Sequence, residues 1–107
     1  MNKPILEITL TYKGYKIAVV WHPDYKYRCA YVLVPHWHKL YEVDYDDIQV
    51  YCHGGLTYSG HQLLGKNYPG WWIGFDCAHA GDTFEKCDLN YCINECRNII
   101  DQIKEME

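Results

Sequence analysis

The stretch Leu6-Glu7-Ile8-Thr9-Leu10-Thr11-Tyr12-Lys13-Gly14-Tyr15-Lys16-Ile17-Ala18-Val19-Val20-Trp21 decides the fold. Leu6, Ile8, Leu10 and Tyr12 alternate with Glu7, Thr9 and Thr11, the period of a half-buried strand. Lys13-Gly14 is a two-residue turn, with Gly14 free to take positive φ. Tyr15 to Trp21 returns as a strand rich in β-branched and aromatic residues. Two strands joined so tightly must be antiparallel. Outward from this hairpin, His22-Pro23-Asp24 makes a second turn. Tyr27 to Val34 is almost continuously apolar, which predicts a central strand covered on both faces, and Pro35 stops it.

The segment His36 to Asp47 reads as a loop and Ile48 to His53 as a short fourth strand. Gly54 to Gly70 is a glycine-rich connection, long for a compact domain, a length that signals function or mobility. Trp71 to Cys77 is a fifth strand. Asp88 then caps a helix whose Leu89, Cys92, Ile93, Cys96, Ile99, Ile100 and Ile103 form one stripe, while Tyr91 faces away from it. The expected fold class is α+β: a mostly antiparallel sheet of about five strands with one C-terminal helix packed on a face.

The chain has 107 residues, which allows one domain over 1–107. Hydrophobic residues make up 49% and charged residues 22%, which excludes disorder as the main reading. The net charge of −4 argues against a broad phosphate-gripping basic surface, so direct nucleic-acid binding is not expected. Lys3, Pro4 and Glu7 interrupt any apolar leader between Met1 and Leu10, and no run is long enough to span a membrane. The expected location is the cytoplasm. The six cysteines, Cys29, Cys52, Cys77, Cys87, Cys92 and Cys96, then read as reduced thiols. No C-x-x-C pair supports a cysteine-rich zinc site.

Aromatic residues are 16% of the chain, and the chemistry-bearing ones gather in three loops. His53-Gly54-Gly55 has the form of a backbone anion nest, with Thr57, Tyr58 and Ser59 as hydroxyl donors. Its plainer reading is a glycine turn at a strand end. Lys66 does not complete a P-loop, since no G-K-[ST] exists. Asp76, His79 and Asp82 recur every three residues. With His53 they would make a mixed nitrogen–oxygen metal site; the plainer and favoured reading is that they tie down a tight loop. A Cys77–His79 nucleophile pair is disfavoured, because residues two apart rarely reach each other. Trp71 and Trp72 alternate faces, one inward and one outward. An outward Trp72, with Trp37, His38 and Tyr58 near, would be a stacking platform for a base or sugar. Whether the loops meet depends on direction. If strands 48–53 and 71–77 are parallel, His53 joins Asp76 and His79; if antiparallel, they lie apart.

The strings His53-Gly54-Gly55-Leu56-Thr57-Tyr58-Ser59 and Trp71-Trp72-Ile73-Gly74-Phe75-Asp76-Cys77-Ala78-His79-Ala80-Gly81-Asp82 resemble a family of small phage and prophage proteins. Tyr45-Asp46-Asp47-Ile48 and the helix start at Asp88-Leu89 fit the same resemblance, which covers about residues 12 to 103. It brings no catalytic residue or substrate; it implies an accessory role in the host cytoplasm, including inhibition of host defence. The leading expectation is a non-catalytic protein, with no cofactor, that holds a small phosphate-bearing or nucleotide-like ligand and sequesters a host-defence signal. The ligand residues would be Trp37, His38, His53, Gly54, Gly55, Thr57, Tyr58, Ser59, Trp72, Asp76 and His79. The alternatives are an acidic inhibitor that docks on a host defence protein and a small metal-dependent hydrolase. A homo-oligomer fits the aromatic surface.

Overall fold

A computed structural model describes residues 2–65 and 67–107. Met1 and Lys66, both used in the sequence reading, lie outside the described residues. Five antiparallel strands, β1 (Ile5–Tyr12), β2 (Tyr15–His22), β3 (Tyr27–Val34), β4 (Tyr58–Gly60) and β5 (Trp71–Asp76), stand in the order β1-β2-β3-β5-β4. One helix, α1 (Leu89–Lys104), packs across β2 and β3. The fold is therefore α+β, with the antiparallel sheet and single C-terminal helix the hydrophobic periodicities imply.

Each element follows from local chemistry. The first hairpin turns at Lys13 and Gly14, with φ of 50° and 85°. Two successive positive φ values give a turn whose twist matches that of the strands. β3 is central: Ala30, Val32 and Val34 face the helix, while Tyr31 and Leu33 face the other side. Asp88 caps α1 by accepting a hydrogen bond from the Tyr91 amide at 2.8 Å. Cys92, Ile93, Cys96, Ile99, Ile100 and Ile103 are all buried, so the stripe read from spacing is the packed face.

A bulge in β1 changes the side its residues face. Leu6 pairs with Val20 but Ile8 pairs with Val19. The extra residue, Glu7, sends Leu6 to the open face of the sheet and Ile8, Leu10 and Tyr12 to the helix face.

Two sequence expectations are corrected. Residues 48–53 are not a strand. They run alongside α1, where side chains rather than a neighbouring strand satisfy the backbone. The Tyr51 amide donates to Gln102 Oε1 at 2.9 Å, and its carbonyl accepts from Asn98 Nδ2 and Gln102 Nε2 at 2.8 and 2.7 Å. The fourth strand is Tyr58–Gly60, inside the stretch read as a glycine-rich loop. The second correction is Trp72. It does alternate with Trp71, but both are buried, at 2% and 7% exposure. Residues 61–65 and 67–70 lie over the open face, and Trp72 packs beneath them with Ala18, Val20 and Leu63, its Nε1 donating to the Tyr68 carbonyl at 2.9 Å.

Candidate functional site

Three segments meet at the N-terminal end of α1. Residues 51–53 descend along the helix, and the His53 amide donates to Glu95 Oε1 at 2.8 Å. β5 delivers Asp76 and Cys77 at its end. The loop from Ala78 to Asp88 then wraps the corner before α1 begins. His53 thus comes beside His79, with ring centroids 5.9 Å apart, and His79 stands next to Asp76, but neither strand direction is responsible. The helix is the rail on which the 51–53 segment is hung.

His53 is held at both ring nitrogens. Nε2 lies 2.9 Å from Asp82 Oδ2, and Nδ1 lies 2.8 Å from the Tyr91 hydroxyl. A carboxylate can only accept, so Nε2 carries a proton toward Asp82. Asp82 Oδ2 also accepts from the His79 amide at 3.0 Å. Burial pulls the Asp82 carboxyl upward, but the hydrogen bonds from His53 and the His79 amide outweigh it and leave it below the ordinary carboxylate range. Asp76 ties a second knot: it accepts from Thr57 Oγ1 at 2.9 Å and from the Ala78 amide at 3.0 Å.

His79 Nε2 is the odd group. It is a buried atom without a hydrogen-bond partner. Asp76 Oδ1 stands 3.4 Å away, close enough for attraction but out of line for a hydrogen bond. The ring rests on Gly54, whose φ is +66°, and a Cβ there would sit 2.3 Å from Nε2. Gly54 is therefore required both by its conformation and by the ring above it.

The other expected ligand residues disperse. Gly55 is in the turn, its amide donating back to the Cys52 carbonyl at 2.9 Å. With the His53 amide on Glu95 as well, two amides of the expected nest are used inside the molecule. Tyr58 packs edge-on against Tyr31 and donates to the Gln62 carbonyl, and Ser59 Oγ accepts from the Tyr45 amide. His38 is buried: Nδ1 accepts from the Leu40 amide at 3.0 Å and Nε2 lies 2.7 Å from the Ile103 carbonyl. Trp37, beside it, lines a hollow with Met106 and Glu107 just past the end of α1, about 20 Å along the helix from Tyr91. Trp72 is under the opposite face of the sheet. No stacking platform of Trp37, Tyr58 and Trp72 exists.

What the sequence missed is the turn between β2 and β3. Tyr25, Lys26 and Tyr27 line a cleft of about 390 Å³ together with Cys77, His79 and Asp82. Tyr25 is 83% exposed, and Lys26 is held at a φ of 56° with its amide on the His22 carbonyl at 2.8 Å. The signal was present in the sequence as an aromatic–basic–aromatic triplet, but its distance from residues 76–82 is set by the pairing of Cys29 with Asp76.

Sulfur gathers behind the cleft. Cys87 Sγ lies 3.8 Å from His53 Nε2, and Cys77 Sγ lies 3.8 Å from Cys92 Sγ. One donor atom from each of His53, Cys77 and Cys87 falls within 4.8 Å of the others. The metal donors that converge are thus not the expected set of His53, Asp76, His79 and Asp82. Burial pushes the Cys87 thiol up to about 12, and the contact with Cys92, then burial, pushes Cys77 up as well. Neither thiol is a ready nucleophile.

The chain is 31% identical over 83 residues to the cysteine-rich venom protein VAR11 of Varanus varius, and equally to VAR10 of the same animal. The likeness covers 78% of this chain but 29% and 30% of those proteins, so the chain spans less than a third of the length of the curated relatives it matches. No family model and no solved structure matches it. Among the described residues, no helix is long and apolar enough to cross a membrane.

Proposed function

We propose that this protein binds a small phosphate-bearing or nucleotide-like ligand in the cleft between the β2–β3 turn and the 77–83 loop, holding it without turnover. The observation that carries this reading is the lining: a lysine, a histidine and two tyrosines around about 390 Å³, a volume in the range of small-ligand sites. Lys26 supplies the cation for a phosphate. Tyr25 and Tyr27 supply faces for a base or sugar. Asp82 would repel a phosphate if it stood alone, but its Oδ2 is engaged by His53 and His79. Oδ1 is the acceptor this reading assigns to a sugar hydroxyl, as carboxylates serve ribose elsewhere. The resemblance to small phage and prophage proteins supports sequestration of a host-defence signal as the purpose, in the host cytoplasm.

The test is native mass spectrometry of protein incubated with a panel of mono-, di- and cyclic nucleotides, followed by calorimetry on any that adds mass. Binding should weaken at least about tenfold in Lys26→Ala and in Tyr25→Ala, the scale of one lost charged contact or one lost stack. Trp37→Ala, at the far end of α1, should bind as the parent does. Affinity indifferent to both Lys26 and Tyr25 would sink the reading.

A further inference from the structure

Three groups at the inner wall of the corner have the donor types and spacing of a metal centre, and we infer that His53 Nε2, Cys77 Sγ and Cys87 Sγ bind one zinc-like ion, with the neighbouring Asp82 carboxylate turning in as the fourth ligand. This inference shares Cys77 and Asp82 with the wall of the cleft but does not rest on the nucleotide reading, and its test uses metal alone.

Geometry is the first support. Zinc holds sulfur at about 2.3 Å and imidazole nitrogen at about 2.0–2.1 Å, so the edges of a tetrahedral site run about 3.5–3.8 Å. The Cys87–His53 separation of 3.8 Å is such an edge. The three nitrogen and sulfur donors already lie within 4.8 Å of one another, so side-chain rotations of under about 1 Å close the set around an ion. Asp82 Oδ2, 2.9 Å from the same Nε2, is nearer than a coordination edge and outside the set of three, so it must swing away from the ring to take the fourth position. With zinc on Nε2 the ring proton sits on Nδ1, toward the Tyr91 hydroxyl, and the two thiol protons leave to solvent.

Donor type and surroundings are the second support. Two thiolates, an imidazole and a carboxylate suit zinc and disfavour magnesium or calcium, which take oxygen ligands. Cys77 and Cys87 are 3% and 2% exposed, as in closed structural sites. The ligands come from distant parts of the chain: one from residue 53 and three from the 77–87 corner, where Cys77, Asp82 and Cys87 are evenly spaced by five. Such a set has no C-x-x-C signature, which is why spacing alone did not reveal it. The outer shell is also built. The Tyr91 hydroxyl, 2.8 Å from Nδ1, is the partner that fixes the ring when Nε2 is on a metal.

The experiment is titration of the whole, reduced protein with cobalt(II), then zinc. One equivalent of cobalt should give thiolate-to-metal charge transfer and the intense visible bands of a tetrahedral ion, and zinc should bleach both. Native mass spectrometry should show one zinc per chain. Cys87→Ser and His53→Gln should abolish the thiolate-rich spectrum, while Cys52→Ser, outside the set, should keep it. Tyr91→Phe should keep the band shape and weaken affinity about 10–100-fold, the usual effect of an outer-shell partner. Absence of charge transfer in the parent at saturating cobalt would overturn the inference. So would a spectrum unchanged in both Cys87→Ser and His53→Gln. Circular dichroism checks that each variant folds; if Cys87→Ser does not, the parent stoichiometry and His53→Gln decide.

Discussion

His38 and His53 are both histidines with two engaged nitrogens, yet they do opposite jobs. His38 closes the end of α1: it is bonded only to backbone, at Leu40 and Ile103. His38→Ala leaves the part-buried Leu40 amide unpaired and takes one donor from the Ile103 carbonyl, which keeps the Met106 amide; it should cost about 1–3 kcal/mol, read as a lowered denaturation midpoint with an unchanged slope. Unchanged stability would mean that water replaces the ring. His53 is bonded to side chains, Asp82 and Tyr91, and stands beside sulfur. Gly54 is its counterpart in the backbone. Gly54→Ala should lose about 1–2 kcal/mol from the left-handed conformation and displace the His79 ring as well. Histidine nitrogen shifts measured by NMR check this: His79 should move while His38 does not.

At the scale of elements, α1 does more than cover the sheet. Its polar flank organises residues 51–53 through Glu95, Asn98 and Gln102. Gln102→Ala removes two bonds to Tyr51 and should speed amide exchange across 49–53 while leaving β5 protected; uniform acceleration would contradict a local role. The helix is also tied to the first hairpin, where Lys13 and the Tyr12 hydroxyl converge on Asp101 at 2.7 and 3.1 Å. The hydrogen bond from Lys13 holds the Asp101 carboxyl below its ordinary 3.8. A depressed carboxyl contributes stability above that ordinary value and loses it as pH falls through the native one. Asp101→Asn should therefore flatten the acid side of the melting-temperature profile below about pH 4, with little change in its shape near neutrality. These facts also explain what could be read in advance. The hairpin, the central strand, the helix stripe and the Asp88 cap follow from local periodicity and capping. Residues 48–53 were misread because alternation signals an extended chain, and an extended chain can be satisfied by a helix's side chains as well as by a strand. His53, Gly54, Thr57, Asp76 and His79 meet because of that same tertiary choice, which no spacing rule contains. The sulfur cluster was illegible for a like reason: its members are near only after the corner folds.

On the scale of the molecule, the sheet separates two apolar layers of unequal weight. The helix side holds most of the core, from Ile17 through Ile103. The other side is a small cluster under residues 61–65 and 67–70 of the connection before β5, centred on Trp72. Trp72→Ala should cost about 3–5 kcal/mol, the usual loss for a buried indole, and should loosen that connection first. Proteolysis confined to 61–70 before global unfolding is the expected sign; cleavage only on global unfolding would show the two layers to be one cooperative unit. The cleft and the sulfur corner lie against the thicker layer, in the segment that leaves β5 and leads into α1.

The bulge at Glu7 has a consequence for how this chain meets its neighbours. The sheet has two margins. One is β1, where the bulge at Glu7 breaks the main-chain ladder near the strand start, which Pro4 adjoins, and leaves only Ile8 to Tyr12 in regular register. The other is β4, only three residues long. Neither offers an extended row of free amides and carbonyls onto which a second chain could zip. Contacts with a second chain are therefore left to side chains. Their strength should follow the tyrosines and charges on the surface, and crowding alone should not drive this protein into fibrils.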